Sequence, residues 1–423
     1  MSSLNLIFIL ILSLIASFPL KSDAFVDVMR RPITRHSFTS KVVTTDKQID
    51  QKVSIKPLSS NAVINYDKKT FRRFAQIELY RTSELEKLFP ILCSLEKACR
   101  DISKLMRRIA TDSLSGNHQL LGSEQSVNIQ GETQKKLDVV ANRILKIALC
   151  CSGEVSVVAS EEEDIPCACS EVTDNGAFSG GEYAVVFDPL DGSSNIDSGL
   201  PTGTIFGIYR NPRYGPIDPL TTSKQRGSEL LVSGYCLYSA STHLVITMRN
   251  GVHMFTLDDV NDEFYLTRSN IQVPSHGPVY SFNDVHESKW HEGVGNFYRD
   301  LKSGHLKTFS DPESAPIKKK KAPRTSRYFG ALVADVHNIL FHGGIYGYPG
   351  TTSSPKGKLR LLYEANPIAL LMEQANGMAT NGVQRILDLP VKDIHDRTPL
   401  FVGSRDEVSS LAHYLQQPQE SLE

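Results

Sequence analysis

The run FDPLDGSSNID, Phe187 to Asp197, holds the densest chemistry in the chain. It follows an apolar, strand-like stretch, Tyr183–Phe187, and puts Asp188 and Asp191 at that strand's end with Pro189-Leu190 between them. A turn between two carboxylates lets both point at one hard cation, and the Leu190 carbonyl offers a third oxygen. Gly192-Ser193-Ser194-Asn195 then supplies close backbone approach and free N–H groups, and a helix starting there would hold a phosphate at its N-terminus. A functionless Asp/Gly/Ser turn is the bland alternative, and the buried strand ahead of the run argues against it.

Three further sets bear on the same chemistry. Ser160-Glu161-Glu162-Glu163-Asp164 follows the strand-like Val155–Ala159. Alone it reads as a solvated loop, but a strand carrying carboxylates beside Asp188 would complete a binuclear metal site. Gly131 to Asp138 opens a helix with Glu132 at its N-terminus, where the helix dipole favours an acid, and Asp138 reads as an exposed helical acid if nothing else recruits it. Lys356 to Pro367 reads as a strand, Leu359–Tyr363, that alternates basic and apolar residues and delivers Glu364 before a helix begun at Pro367. Alternation would put Lys358 and Arg360 on one face, within reach of a phosphate.

The elements that must position these residues are legible in part. An apolar face from Leu85 to Ile109 predicts a helix that Pro90 kinks or restarts, and Thr133 to Leu149 fits a second. Tyr183–Phe187, Thr204–Tyr209, Leu230–Tyr238 and His243–Met248 read as strands, with Asn250-Gly251 as a hairpin turn. Further on, Val279–Phe282 reads as a strand, Gly330–Leu340 as a helix and Asp406–Leu415 as a closing helix. The pattern is α/β, layered, in two successive blocks, 66–257 and 258–420.

The chain has 423 residues, long enough for two packed blocks behind a leader. It is 40% hydrophobic and 22% charged with a formal net charge of -1, which asks for neither nucleic acid nor an anionic membrane as partner. Seven cysteines, Cys93, Cys99, Cys150, Cys151, Cys167, Cys169 and Cys236, have no spacing of a secreted disulfide scaffold. Leu6–Phe18 has the length of a signal-peptide core, and the basic, Ser/Thr-rich stretch after Ala24-Phe25 looks like a transit peptide. The leader therefore divides into a signal peptide, 1–24, and a transit peptide with linker, 25–60. This resembles the presequence of algae with complex plastids and implies a plastid-stromal protein, soluble once mature. A secretory signal on an enzyme of another compartment is the alternative.

The four motifs resemble class I fructose-1,6-bisphosphatase. So do Arg327-Tyr328-Phe329-Gly330, Val333-Ala334-Asp335-Val336-His337 and Gly343-Gly344-Ile345. The resemblance runs from about residue 70 to about residue 412. It implies a five-layer α/β/α/β/α sugar-phosphatase fold, usually a homotetramer. It implies hydrolysis of the 1-phosphate of fructose 1,6-bisphosphate with two to three Mg²⁺ ions per subunit, Mn²⁺ being the substitute. By matching position, Glu132, Glu161, Asp188, Leu190 through its carbonyl, Asp191 and Glu364 hold metal. Asp138 and Glu162 polarise the attacking water. Gly192, Ser193 and Ser194 take the 1-phosphate. Asn283, Tyr328, Tyr348, Lys358 and Arg360 take the sugar and 6-phosphate, and Arg327 reaches in from a neighbouring subunit.

Departures from the family pattern carry their own expectations. A Lys that contacts the nucleotide in AMP-inhibited members stands as Glu182 here, and Tyr80–Leu88 is shorter than their nucleotide loop. AMP inhibition should be weak or absent, since a carboxylate repels phosphate. Light-regulated plastid members carry cysteines in an insertion, but Arg210–Gly227 has none. Cys167 and Cys169 lie after the Glu161–Asp164 run instead, where a redox switch, with thioredoxin as partner, could move metal ligands. A bond from this pair to Cys150 or Cys151 is as compatible as one between them, and idle thiols are the alternative. A family Tyr at the 6-phosphate site becomes His286, which leaves sedoheptulose 1,7-bisphosphate as an alternative or second substrate. A catalytically dead sugar-phosphate sensor would lose a carboxylate of the set, and none is lost. An inositol-type monophosphatase would lack the second phosphate site. The reductive pentose phosphate cycle and a gluconeogenesis-like route are both compatible.

Overall fold

The structure is a computed structural model that describes residues 69–80, 85–114, 123–127, 133–172, 181–211, 220, 223–306 and 323–416. The leader readings and Glu132 lie outside the described residues.

Helix α1 spans Phe71–Tyr80 and α2 spans Leu88–Leu114. Pro90 restarts α2 rather than kinking it, because it sits in the first turn, where its missing N–H costs nothing. Strands β1 (Ser123–Val127) and β2 (Thr133–Lys135) pair antiparallel, so the second predicted helix begins three residues later than expected, as α3, Lys136–Cys150. Leu137, Ala141, Leu145 and Leu149 form its buried stripe.

The chain continues through β3 (Val155–Ser160), β4 (Cys167–Ala168), the short α4 (Cys169–Val172), β5 (Tyr183–Asp191), β6 (Thr202–Arg210), β7 (Val232–Tyr238), β8 (Thr242–Thr247), β9 (Val252–Asp258) and β10 (Glu263–Arg268). These strands build an eight-stranded sheet in the order β10-β9-β8-β7-β6-β5-β3-β4. The β8–β9 hairpin turns at Gly251, whose φ of +78° suits glycine. The first sheet thus runs past residue 258, to Arg268.

Strand β11 (Val279–Phe282), helix α5 (Glu292–Ser303), β12 (Thr325–Ser326), α6 (Leu332–His342), β13 (Gly344–Tyr348), α7 (Asn366–Gln374), β14 (Met378–Thr380), β15 (Leu400–Gly403) and α8 (Arg405–Gln416) follow. Their strands form a second sheet in the order β12-β11-β13-β15-β14. Buried side chains fall into three groups: between α1–α3 and the first sheet, between the two sheets around α6 and α7, and between the second sheet and α5 with α8. Three apolar groups fill the four interfaces of five layers, the middle group lining both faces of the α6–α7 layer, in the α/β/α/β/α order that the resemblance implied. Among the described residues no helix is long and apolar enough to cross a membrane.

The expected strand Leu359–Tyr363 is not formed. One bridge, Arg360 to Arg397, is all the pairing there, and the chain then widens into a π-turn, Leu361–Ala365. The cause is Glu364, whose Oε2 accepts the Arg360 N–H at 2.5 Å and pulls that turn into a loop closed on itself.

His337 shows what the central helix layer costs. Its Nδ1 lies 2.9 Å from the Tyr235 hydroxyl, and its ring stacks on His243 at 5.5 Å between centroids. Burial first, then the neighbouring His243, Arg268 and His342, push its pKa down to about 3. An unfolded histidine takes its proton near pH 6.5. The unfolded chain therefore binds more protons between that pH and about 3, and stability falls as pH drops through the window. The melting temperature of His337→Gln should fall less between pH 7 and pH 5 than that of the parent. Equal falls would refute this assignment.

Candidate active site

Across the first sheet Asp188 faces Ile205, while Asp191 faces Gly203. Three steps on β5 therefore span two on β6, a β-bulge. In a regular strand positions i and i+3 point to opposite faces. The extra residue corrects the parity, and both carboxylates enter one cavity. Asp188 Oδ1 accepts the Leu190 N–H at 2.9 Å, and Thr204 Oγ1 donates to the Pro189 carbonyl at 2.9 Å, so the bulge is pinned on both sides. Asp191 Oδ2 accepts the Val333 N–H at 2.7 Å, at the start of α6. Next comes Gly192, with φ +75° and Ala331 so close that a Cβ would lie 2.4 Å from that residue's own. Only glycine fits. Ser193–Ser198 then form a 3₁₀ turn, as the phosphate reading of this segment required of its backbone.

Strand β3 runs parallel to β5 with Ser160 opposite Phe187, so Glu161 emerges beside Asp188. The loop is clamped from two directions. Glu163 accepts hydrogen bonds from Asn142 Nδ2 at 2.9 Å and Lys146 Nζ at 2.7 Å, both on α3, and its carbonyl lies 3.0 Å from His395 Nε2. Asp138 sits on the same helix face as Asn142 and Lys146, at i, i+4 and i+8. It is not the exposed acid that its helix position alone suggested, being only 3% exposed.

Arg360 was expected beside Lys358 within reach of a phosphate; both line the cavity, but the Arg360 guanidinium is engaged by carboxylates. Its side chain is 4% exposed; Nη2 lies 2.7 Å from Glu161 Oε1 and Nη1 lies 3.9 Å from Glu364 Oε2. It closes the acidic cluster from the π-turn.

Asp188, Asp191 and Glu364 each offer an oxygen within 4.8 Å of the others, and all three are buried. Burial is the main force on their protonation. It drives Asp188 well above the usual carboxylate range, with Glu161, Asp191 and Glu364 adding repulsion. Asp191 is raised to about 7 by burial, against the Val333 and Leu332 N–H groups that favour its charge. Glu364 is raised to about 8 by burial, with Arg360 opposing. An all-oxygen, crowded, poorly hydrated set of this kind fits a hard divalent cation, which offsets the repulsion and replaces water as the partner of each oxygen.

The cavity has a volume of about 570 Å³. Its wall brings together Asp138, Glu161, Glu162, Asp188, Leu190, Asp191, Gly192, Ser193, Ser194, Asn283, Tyr328, Tyr348, Lys358, Arg360 and Glu364. Tyr328 has its hydroxyl pushed up to about 12 by burial and by Tyr348 and Asp335, with a hydrogen bond from Asn283 pulling the other way. Arg327 and His286 are not part of this wall. The Arg327 N–H donates to the Tyr280 carbonyl at 2.9 Å. Cys169 is joined to Cys150 at the far end of α3, with Cα atoms 5.0 Å apart, and Cys167 is a half-buried free thiol. Glu182 forms an ion pair with Lys87. Asn142, Lys146 and His395 escaped the sequence reading; the spacing of the first two from Asp138 was the signal.

The chain matches the family profiles described as fructose-1-6-bisphosphatase, N-terminal domain, over residues 69–269 and C-terminal domain over residues 273–416. It is 42% identical over 341 residues to the chloroplastic fructose-1,6-bisphosphatase of Pisum sativum, covering 77% of this chain and 78% of that one. With the chloroplastic fructose-1,6-bisphosphatase of Spinacia oleracea it shares 43% identity over 340 residues, 77% of this chain and 76% of that one. The crystal structure of Leishmania major fructose-1,6-bisphosphatase in holo form superposes with a TM-score of 0.72 at 32% identity, covering 83% of this chain and 99% of that one.

Proposed function

The chain belongs to the fructose-1,6-bisphosphatase family and hydrolyses fructose 1,6-bisphosphate, and on that premise we propose which of its residues do the work. Asp188, Asp191, Glu364, Glu161 and the Leu190 carbonyl hold Mg²⁺, with Glu132 assisting; the crowded carboxylates carry this reading. Bound there, two to three Mg²⁺ ions offset phosphoryl charge and lower the pKa of water. Asp138 and Glu162, which line the same cavity, orient the attacking water and take its proton. Backbone N–H groups from Gly192 to Ser194 seat the 1-phosphate. Asn283, Tyr328, Tyr348 and Lys358, which line the same cavity, seat the sugar and its 6-phosphate. Arg327, absent from this wall, completes that phosphate site in a neighbouring subunit of a homotetramer.

The chloroplastic relatives and the two-part leader support a plastid-stromal enzyme of the reductive pentose phosphate cycle or a gluconeogenesis-like route. Weak AMP inhibition is supported by Glu182, which Lys87 holds in place. A redox role for Cys169 is supported by its bond to Cys150. That bond ties the end of the Asp138 helix to the segment just after Glu161–Glu163, while Cys167 stands nearby as a thiol for exchange. A thioredoxin-type dithiol would pass two electrons to the bond, giving two protein thiols and its own disulfide.

Phosphate release from fructose 1,6-bisphosphate and sedoheptulose 1,7-bisphosphate, each with and without dithiol, tests these assignments together. The six-carbon substrate should be preferred, and Cys169→Ser should remove any response to reductant. A response that survives in Cys169→Ser sinks the redox assignment, and preference for the seven-carbon substrate sinks the assigned pathway.

A further inference from the structure

Asp335 sits in the first turn of α6, 1% exposed, and has no part in the reaction as assigned above. Its Oδ1 accepts two hydrogen bonds: from Ser281 Oγ at 2.6 Å and from the Phe329 N–H at 3.0 Å. These donors lie beside the groups that read the distal phosphate. Ser281 is on β11, two residues before Asn283, and Phe329 directly follows Tyr328.

The strap from Thr325 to Gly330 is held along β11 only as far as Arg327, whose N–H reaches Tyr280. Past that point the strand ladder ends, and side chains take over: Asp335 holds the Phe329 N–H, and Asn195 Nδ2 holds its carbonyl at 3.0 Å. Tyr328 and Asn283 are hydrogen-bonded to each other. One buried carboxylate thus ties the strand that leads into Asn283 and the strap carrying Tyr328 to the helix whose N-terminus holds Asp191.

We propose that Asp335 is a positioning residue for the distal phosphate: it fixes Asn283 and Tyr328 against each other so that both polar groups meet one phosphate. The inference rests on Asn283 and Tyr328 being phosphate ligands. Misplacing a ligand group by an ångström is enough to cost a large factor in binding or rate.

Steady-state kinetics on Mg²⁺-loaded full-length enzyme test it. Asp335→Ala should raise KM for fructose 1,6-bisphosphate about 10-fold with kcat changed less than about 3-fold, the signature of lost ground-state binding. Asp335→Asn keeps an oxygen that accepts both bonds and should stay within about 3-fold of the parent KM. Equal defects in the two variants would mean that charge at the helix start, not the hydrogen-bonded tie, matters, and would overturn the proposal. So would an unchanged KM in Asp335→Ala, or a parallel collapse of kcat and melting temperature. Should Asp335→Ala fail to fold, Ser281→Ala removes one donor and should raise KM alone; no change there overturns the proposal equally. Tyr328→Phe separates the layers. If it leaves KM unchanged, the distal-phosphate reading itself falls. If it raises KM while Asp335→Ala does not, only the role of Asp335 falls.

Discussion

Asp188→Asn should lower kcat for fructose 1,6-bisphosphate by on the order of 10³-fold or more while making the metal-free protein harder to melt. The two effects have one origin. Asp188 is fully buried among Glu161, Asp191 and Glu364, and burial together with their charge pushes its pKa well above the ordinary carboxylate range. A charge that the fold itself disfavours is there for something else, and preorganised electrostatic groups of this kind supply factors of about 10²–10³ each. The amide is isosteric and neutral, so it removes repulsion without opening a cavity. In EDTA the variant should therefore melt higher than the parent. With saturating Mg²⁺ the parent should gain stability and the variant much less, because a ligand stabilises only what it binds. Thermal melts with and without the ion, beside kcat, read all three. A variant that keeps kcat within ten-fold, or melts lower than the parent in EDTA, refutes the assignment.

Arg360→Met should destabilise the metal-free enzyme by about 3–5 kcal/mol, the usual cost of breaking a buried ion pair from one side. Its guanidinium lies 2.7 Å from Glu161 and 3.9 Å from Glu364, with all three side chains nearly inaccessible. Removing it leaves two buried carboxylates short of counter-charge, so Mg²⁺ should recover part of the loss. Arg360→Lys should fall in between, since an ammonium cannot span both partners as a planar fork does. This variant also decides between two roles. A phosphate ligand would show a raised KM with an unchanged metal-free melt; a keystone of the acidic cluster shows the reverse.

The layered fold and most helices were legible because they rest on periodicity. The α2 stripe and the Leu137–Leu149 stripe needed only a count of apolar spacing. Part of the acidic cluster was legible because Glu161 follows the end of β3 and Asp191 ends β5. Two features were not. The strand expected at Leu359–Tyr363 became a π-turn because Glu364 bonds its own backbone at Arg360, a local side-chain effect that alternation cannot anticipate. The Glu163 clamp was hidden because its partners, on α3 and at His395, are up to 232 residues away along the chain. Asp138 was underrated for the same reason: what buries it comes from elsewhere in the sequence.

The division of the acidic cluster between distant stretches has a consequence for how the protein is made. Asp138, Glu161, Asp188 and Asp191 leave the ribosome well before Arg360 and Glu364, which arrive with the π-turn between the two sheets. Until that interlayer closes, the early acids stay hydrated, and nothing around them gathers a divalent ion. Tight metal capture belongs to the completed chain, so a nascent or truncated copy neither sequesters the ion nor spends sugar phosphate.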